Sequence, residues 1–307
     1  MLRQWYVATI GVANLDLALA FWIDAVGYEI VASSEGSDLG LAQQWNIAPS
    51  SVKRQALISP LGATHGHLHL IEMHESGPSV RGAAAVFDAC PKNIDIYVTD
   101  IGGRINVLKA LGYNFRSTTH SEVTADDGTR FREMHISIHD DINLVLLELP
   151  DQPIPTNAKG FGAIGPIICV VPNVRQEKLF YQDILGLELL ADNYFEGEDI
   201  ERMIGLPPGA GLDVSIWGRE GDREAQLELV EYTGVDGDTR FSLATLPNCG
   251  LHQVCFETPD ASEIASKAKS SNNRVIHRGV LHTLAGSGEY WSIYTPAGMR
   301  IDVMAPS

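Results

Sequence analysis

Apolar and polar residues alternate in short runs along this chain, and between those runs lie stretches with helical spacing. "GHLHLIEM" (66–73) and "AQLELVEY" (225–232) alternate apolar and polar residues, which predicts strands. Residues 15–26 and 174–185 place apolar side chains at helical spacing, which predicts amphipathic helices. An apolar strand precedes each helix, at 7–12 and 166–171, and an Asn marks each turn. Gly27 and Gly186 follow the helices, where a C-cap needs positive φ.

The two stretches are copies of one unit. "VANLDLALAFWIDAVGYEIVA" (12–32) aligns with "VPNVRQEKLFYQDILGLELLA" (171–191), matching Val12, Asn14, Phe21, Asp24 and Gly27 to Val171, Asn173, Phe180, Asp183 and Gly186. The same offset brings "LHLIEM" (68–73) onto "LELVEY" (227–232). Weaker versions of the unit run from "NIDIYVTD" (93–100) to "NLVLLEL" (143–149) and from "QVCFETPD" (253–260) to "MRIDVMAP" (299–306). The expected architecture is α+β: four βαβββ modules paired as two domains, 1–150 and 161–307. A proline-rich linker at 151–160 joins them.

Four such modules, with "FYQDILGLELL", "LELVEY" and "YTPAGMRIDV" at these places, resemble the vicinal oxygen chelate superfamily of glyoxalase I, bleomycin-resistance proteins and extradiol dioxygenases. The resemblance implies U-shaped mixed sheets around a divalent metal, with ligands on the first and last strands of each module. Carried onto this chain, it puts Pro166, Glu228, Gln253 and Asp302 at the ligand positions of the second domain. Proline offers no donor, so Glu228, Gln253 and Asp302 are the expected metal ligands, for Mg²⁺, Mn²⁺, Zn²⁺ or Fe. Gln253 then faces the groove and His252 the opposite side. The corresponding positions of the first domain are Val7, His69, Asn93 and Val145, and no metal is expected there. His65, His67 and His69 alternate along one strand, and a partly exposed polar face is the reading preferred for them.

Acid–base candidates are Glu228, His277, His282 and Tyr290. The Gly/Pro-rich segment 194–211 is expected to form a short helix and loop over the groove, and 35–50 is its counterpart. Three functions compete. The first is a metal-assisted isomerase, epimerase or lyase acting on a small substrate with vicinal oxygens. The second is a metal-free small-molecule binding protein of the bleomycin-resistance type, walled by Trp217, Tyr290 and Trp291. The third is an extradiol dioxygenase, disfavoured because its histidine ligands are missing.

Composition narrows the partners. A net charge of −17, from 22 basic and 39 acidic side chains, speaks against nucleic acid and anionic membranes. No run of about 18 apolar residues predicts a membrane span. The N-terminus lacks a signal-peptide layout, and the four cysteines lack CxxC spacing, so a reduced, cytoplasmic protein is expected. A homodimer is compatible with the pattern.

Overall fold

The computed structural model describes residues 2–307. Module one contains β1 (Val7–Val12), α1 (Leu15–Leu19), β2 (Glu29–Glu35), α2 (Leu39–Trp45), β3 (Val52–Ser59) and β4 (His67–Met73). Module two contains β5 (Pro91–Val98), α3 (Ile101–Ala110), β6 (Asn114–Phe115), β7 (Ser121–Thr124), β8 (Arg130–Ser137) and β9 (Asn143–Glu148). Module three follows with β10 (Phe161–Val170), α4 (Val174–Phe180), β11 (Glu188–Glu196), α5 (Glu198–Ile204), β12 (Gly211–Gly218) and β13 (Leu227–Thr233). Module four is β14 (Gly250–Glu257), α6 (Ala261–Ser270), β15 (Val275–Thr283), β16 (Gly286–Tyr294) and β17 (Arg300–Pro306).

The repeat is visible in the caps. The Asn14 carboxamide oxygen accepts from the amides of Asp16 and Leu17, and that of Asn173 accepts from Gln176. Both helices then widen to i→i+5 bonding, over Ala20–Val26 and Tyr181–Leu185. Both stop at a left-handed glycine, Gly27 at φ 88° and Gly186 at φ 67°.

Two curled mixed sheets result, confirming the α+β, glyoxalase-like architecture. Their strand orders are β15-β16-β17-β14-β1-β4-β3-β2 and β11-β12-β13-β10-β5-β9-β8-β6. Module one is therefore paired with module four, and module two with module three. This differs from the expected contiguous halves, 1–150 and 161–307. The joints are β1 against β14 and β5 against β10, both antiparallel. Each module presents a free edge on its first strand, and any other module can complete it. Repeat order along the chain does not say which one does.

One apolar core is shared by the convex faces of both sheets and the helices between them, including Phe21, Trp22, Ile94, Leu144, Tyr181, Trp217, Phe256 and Ile301. Phe21 meets Tyr113 edge-on with ring centroids 5.1 Å apart, linking modules one and two. The concave faces point away from this core. Among the described residues no helix is long and apolar enough to cross a membrane. All four cysteines are free and buried.

Candidate functional site

The expected ligands divide between the two sheets. Glu228 stands on β13, in the sheet of modules two and three. Gln253 and Asp302 stand on β14 and β17, in the sheet of modules one and four. The expected convergence of Glu228, Gln253 and Asp302 on one cation does not occur. The reason is the module pairing: residues 228 and 253 lie close in sequence but belong to different grooves.

In the one/four sheet Asp302 and His69 are already engaged, whereas the side-chain oxygen of Gln253 is buried without a partner. Asp302 accepts from Arg300 at 2.8 and 2.7 Å and from the Gln44 amide at 3.0 Å. The guanidinium of Arg300 lies 4.0 Å over Trp45. Gln253 donates to Thr9 at 2.9 Å, and His69 pairs with Gln55 at 2.6 Å. Burial pushes His69 down to about 4. The fourth ligand position is Val7, which packs with Leu57, Cys255, Leu281, Tyr290 and Met304. His67 and His69 are buried, not partly exposed; His67 lies edge-on to Tyr6. His252 bonds its own chain at Asn248 and is buried as well.

The acid–base candidates of module four do not meet Glu228. His277 is exposed, stacked on Trp291 and bonded to Glu289. His282 is exposed and bonded to Ser287. Tyr290 is buried in the one/four sheet, with its hydroxyl directed at Gly286. Trp217 lies in the shared core, edge-on to Tyr181. None of these three aromatic candidates lines the cavity described next.

The concave face of the two/three sheet encloses a cavity of about 250 Å³. Strand alternation builds it. On β5, Ile94 and Ile96 enter the core while Asn93, Asp95 and Tyr97 face the cavity. On β13, Leu227 and Leu229 enter the core while Glu228, Val230 and Tyr232 face the cavity. Strand β8 contributes Phe131, Glu133 and His135. Helix α5 closes one side through Ile200, Met203 and Ile204, so the segment 194–211 forms the expected cover. Helix α2 is its counterpart on the other sheet, packed on β15. Apolar walls from Ile168, Leu212, Val214 and Phe195 complete the cavity.

The polar floor is electrostatically unusual. Burial, followed by the neighbouring Glu133, raises the Glu228 carboxyl to about 8. Burial raises Glu133 to about 7. Burial, with Glu228 next, holds Asp95 well above the usual carboxylate range. Asp95 is only 4% exposed, and its Oδ1 has no hydrogen-bond partner. Lys92, fully enclosed beside them, is held well below its usual value by burial and then by Arg81 and Arg116. Its ammonium nitrogen donates to the Tyr232 hydroxyl. His135 is kept neutral by burial and by Lys92 and Arg116; its Nδ1 accepts from Asn143, which also donates to Asn93 at 2.8 Å.

Glu228 is thus the one candidate catalytic residue that faces this cavity. Asp95, Glu133, His135 and Lys92 were missed. Their signal was present in "PKNIDIYV" and "RFREMHIS", where polar residues alternate with Ile and Met. What the sequence withheld was that these two strands face β13.

The superfamily's metal requires three or four converging donors. Here Pro166 and Val145 supply none. Among the described residues no group of three His, Cys, Asp or Glu side chains is placed to hold a metal. The residues present do not fit the cation that the resemblance implied.

Comparison with solved structures identifies the scaffold. Glyoxalase I from Zea mays superposes with a TM-score of 0.67 at 14% identity, over 99% of this chain and 92% of that one. This chain has the tandem glyoxalase fold. A putative dioxygenase from Bacillus subtilis superposes with a TM-score of 0.64 at 9% identity, over 99% of this chain and 85% of that one. At such identities the glyoxalase fold is what is shared, not the chemistry. Neither a family model nor a curated protein sequence matches the chain.

Proposed function

We propose that this chain binds a small, largely apolar organic molecule in the groove of modules two and three, without a metal. The supporting observation is the 250 Å³ cavity itself, apolar on its walls and lined at the floor by a buried, unpartnered Asp95 carboxyl. Concave apolar pockets with a few convergent polar groups are the usual form of small-molecule sites. This is the sequestering reading of the fold. The metal-assisted reading loses its support, because Asp302 is clamped by Arg300 and Gln44 and lies in the other sheet. The dioxygenase reading has only His135 as a cavity histidine, and Asn143 occupies its Nδ1.

The neutral fluorophore N-phenyl-1-naphthylamine tests this reading. Its emission is expected to rise on binding to the native chain. Leu147→Trp, which fills the cavity from β9, is expected to lower that affinity at least tenfold. Equal binding by both proteins would place the dye elsewhere and sink the reading. Protein purified without chelators is expected to carry far less than one equivalent of divalent metal.

One observation favours a second reading, proton transfer. A cavity-facing carboxyl raised to about 8, as at Glu228, can hold or release a proton near neutral pH. Under that reading Glu228→Gln removes isomerase or lyase turnover and leaves ligand affinity within about twofold. Under simple sequestration there is no turnover to remove.

A further inference from the structure

Four carboxyl side chains line the two/three cavity, at Asp95, Asp127, Glu133 and Glu228, and no lysine or arginine does. A cluster of acids often only marks a solvated surface. Here Asp95 is nine-tenths buried and more, points into the cavity, and leaves Oδ1 without a donor. Glu133 and Glu228, half-buried on the same face, receive no hydrogen bond from the protein. The buried Lys92 beside them donates its hydrogen bond to the Tyr232 hydroxyl and closes no ion pair with them. A polar group shut away from water without a partner is costly, and a carboxylate is costlier still. A donor on a ligand in the cavity would supply that missing partner.

The walls agree with a charged donor. Phe131 of module two and Phe195 of module three meet edge to face across the groove, with centroids 6.1 Å apart. Tyr97 and Tyr232 add two more rings. Aromatic faces attract cations, most strongly where water is excluded. An acid-rich, aromatic cavity lined by no lysine or arginine is matched to an organic cation and opposed to an anion.

We propose that the ligand of this groove is a small lipophilic amine, whose ammonium group lies among Asp95, Glu133 and Glu228 and whose hydrocarbon body lies against Phe131, Phe195 and Ile168. This rests on the reading of the groove as a small-molecule site. A cavity of about 250 Å³ suits an amine below the size of a typical drug. A bare divalent cation is a poorer occupant: among the described residues no three acidic side chains are grouped to hold one.

Calorimetric titration of the full chain with 4-phenylbutylamine, 4-phenylbutan-1-ol and 4-phenylbutyrate tests the proposal. The amine is expected to bind at least tenfold more tightly than the alcohol, and the acid most weakly. The Glu133→Gln/Glu228→Gln pair is expected to bring the amine down to the affinity of the alcohol, with the alcohol itself unchanged within about twofold. Phe195→Leu is expected to weaken the amine more than the alcohol. An alcohol that binds as tightly as the amine, or an acid that binds most tightly, overturns the cation while leaving the groove as a site. If none of the three binds and N-phenyl-1-naphthylamine also fails, the groove reading falls with it. Should the double variant fail to fold, the order of the three ligands on the native chain decides alone.

Discussion

Glu177 shows at the scale of one residue what burial does to a carboxyl. It lies on α4, 1% exposed, with one oxygen accepting from the Ala297 amide of module four and the other without a partner. Burial, partly offset by the Ala297 amide and the Thr295 hydroxyl, raises it to about 7. The folded chain therefore holds a proton there that the unfolded chain releases near 4.5, so this residue's contribution to stability falls as pH rises from 4.5 to 7. Glu177→Gln keeps the acceptor and removes the charge. It is expected to match the native chain near pH 4.5 and to exceed it by about 3 kcal/mol at pH 8, read from urea midpoints. An unchanged difference between the two pH values would show that Glu177 ionises freely. No feature of the sequence around Glu177 announces this burial. In module one the repeat places Ala18 there, so the copies diverge at the point of contact with module four. The carboxyls of the cavity were partly legible: Glu228 stood out in "LELVEY", whereas Asp95 and Glu133 acquire meaning only when β5 and β8 are seen to face β13.

Elements were the most legible scale, because the repeat carries its own punctuation. Asn14 and Asn173 cap, Gly27 and Gly186 terminate, and both copies insert a short helix after the second strand. The inserted helices do different work. Helix α5 covers a cavity, whereas α2 is locked down: Gln43 donates to the Arg278 carbonyl at 2.7 Å, Gln44 reaches Asp302, and Trp45 lies beneath Arg300. Gly40 permits this approach, since a Cβ there would come within 2.1 Å of the His282 carbonyl oxygen. Gly40→Ala is expected to push α2 away from β15 and to cost about 1–3 kcal/mol in the overall unfolding free energy. Because α2 serves the other sheet, amine and dye binding in the two/three groove should be unchanged. Loss of that binding together with stability would show that the grooves are coupled. His277 and His282 sit on β15, the strand against which α2 packs, and neither reaches the two/three cavity.

At the scale of the whole molecule the decisive contacts join segments far apart in the chain. Strand β1 meets β14 with Val7 opposite Cys255, and β5 meets β10 with Ile94 opposite Ile167. Residues 1–150 thus hold one half of each sheet, and residues 161–307 hold the other halves. Separating them would expose four central strand edges and split the shared apolar core. This makes a sharp contrast with contiguous domains, which a cut linker would release. Pro153 in the linker is exposed, so a protease site can be inserted there. After cleavage the two fragments are expected to elute together at the mass of the intact 33.4 kDa chain, and to part only in denaturant. Fragments that separate in native buffer would mean that each half folds by itself and that the pairing of module one with four and two with three is wrong. Co-elution would also locate the cavity across that cut, since Asp95 and Glu133 arrive on one fragment and Glu228 on the other. Ligand binding should therefore survive cleavage, vanish when the fragments are isolated, and return when they are mixed.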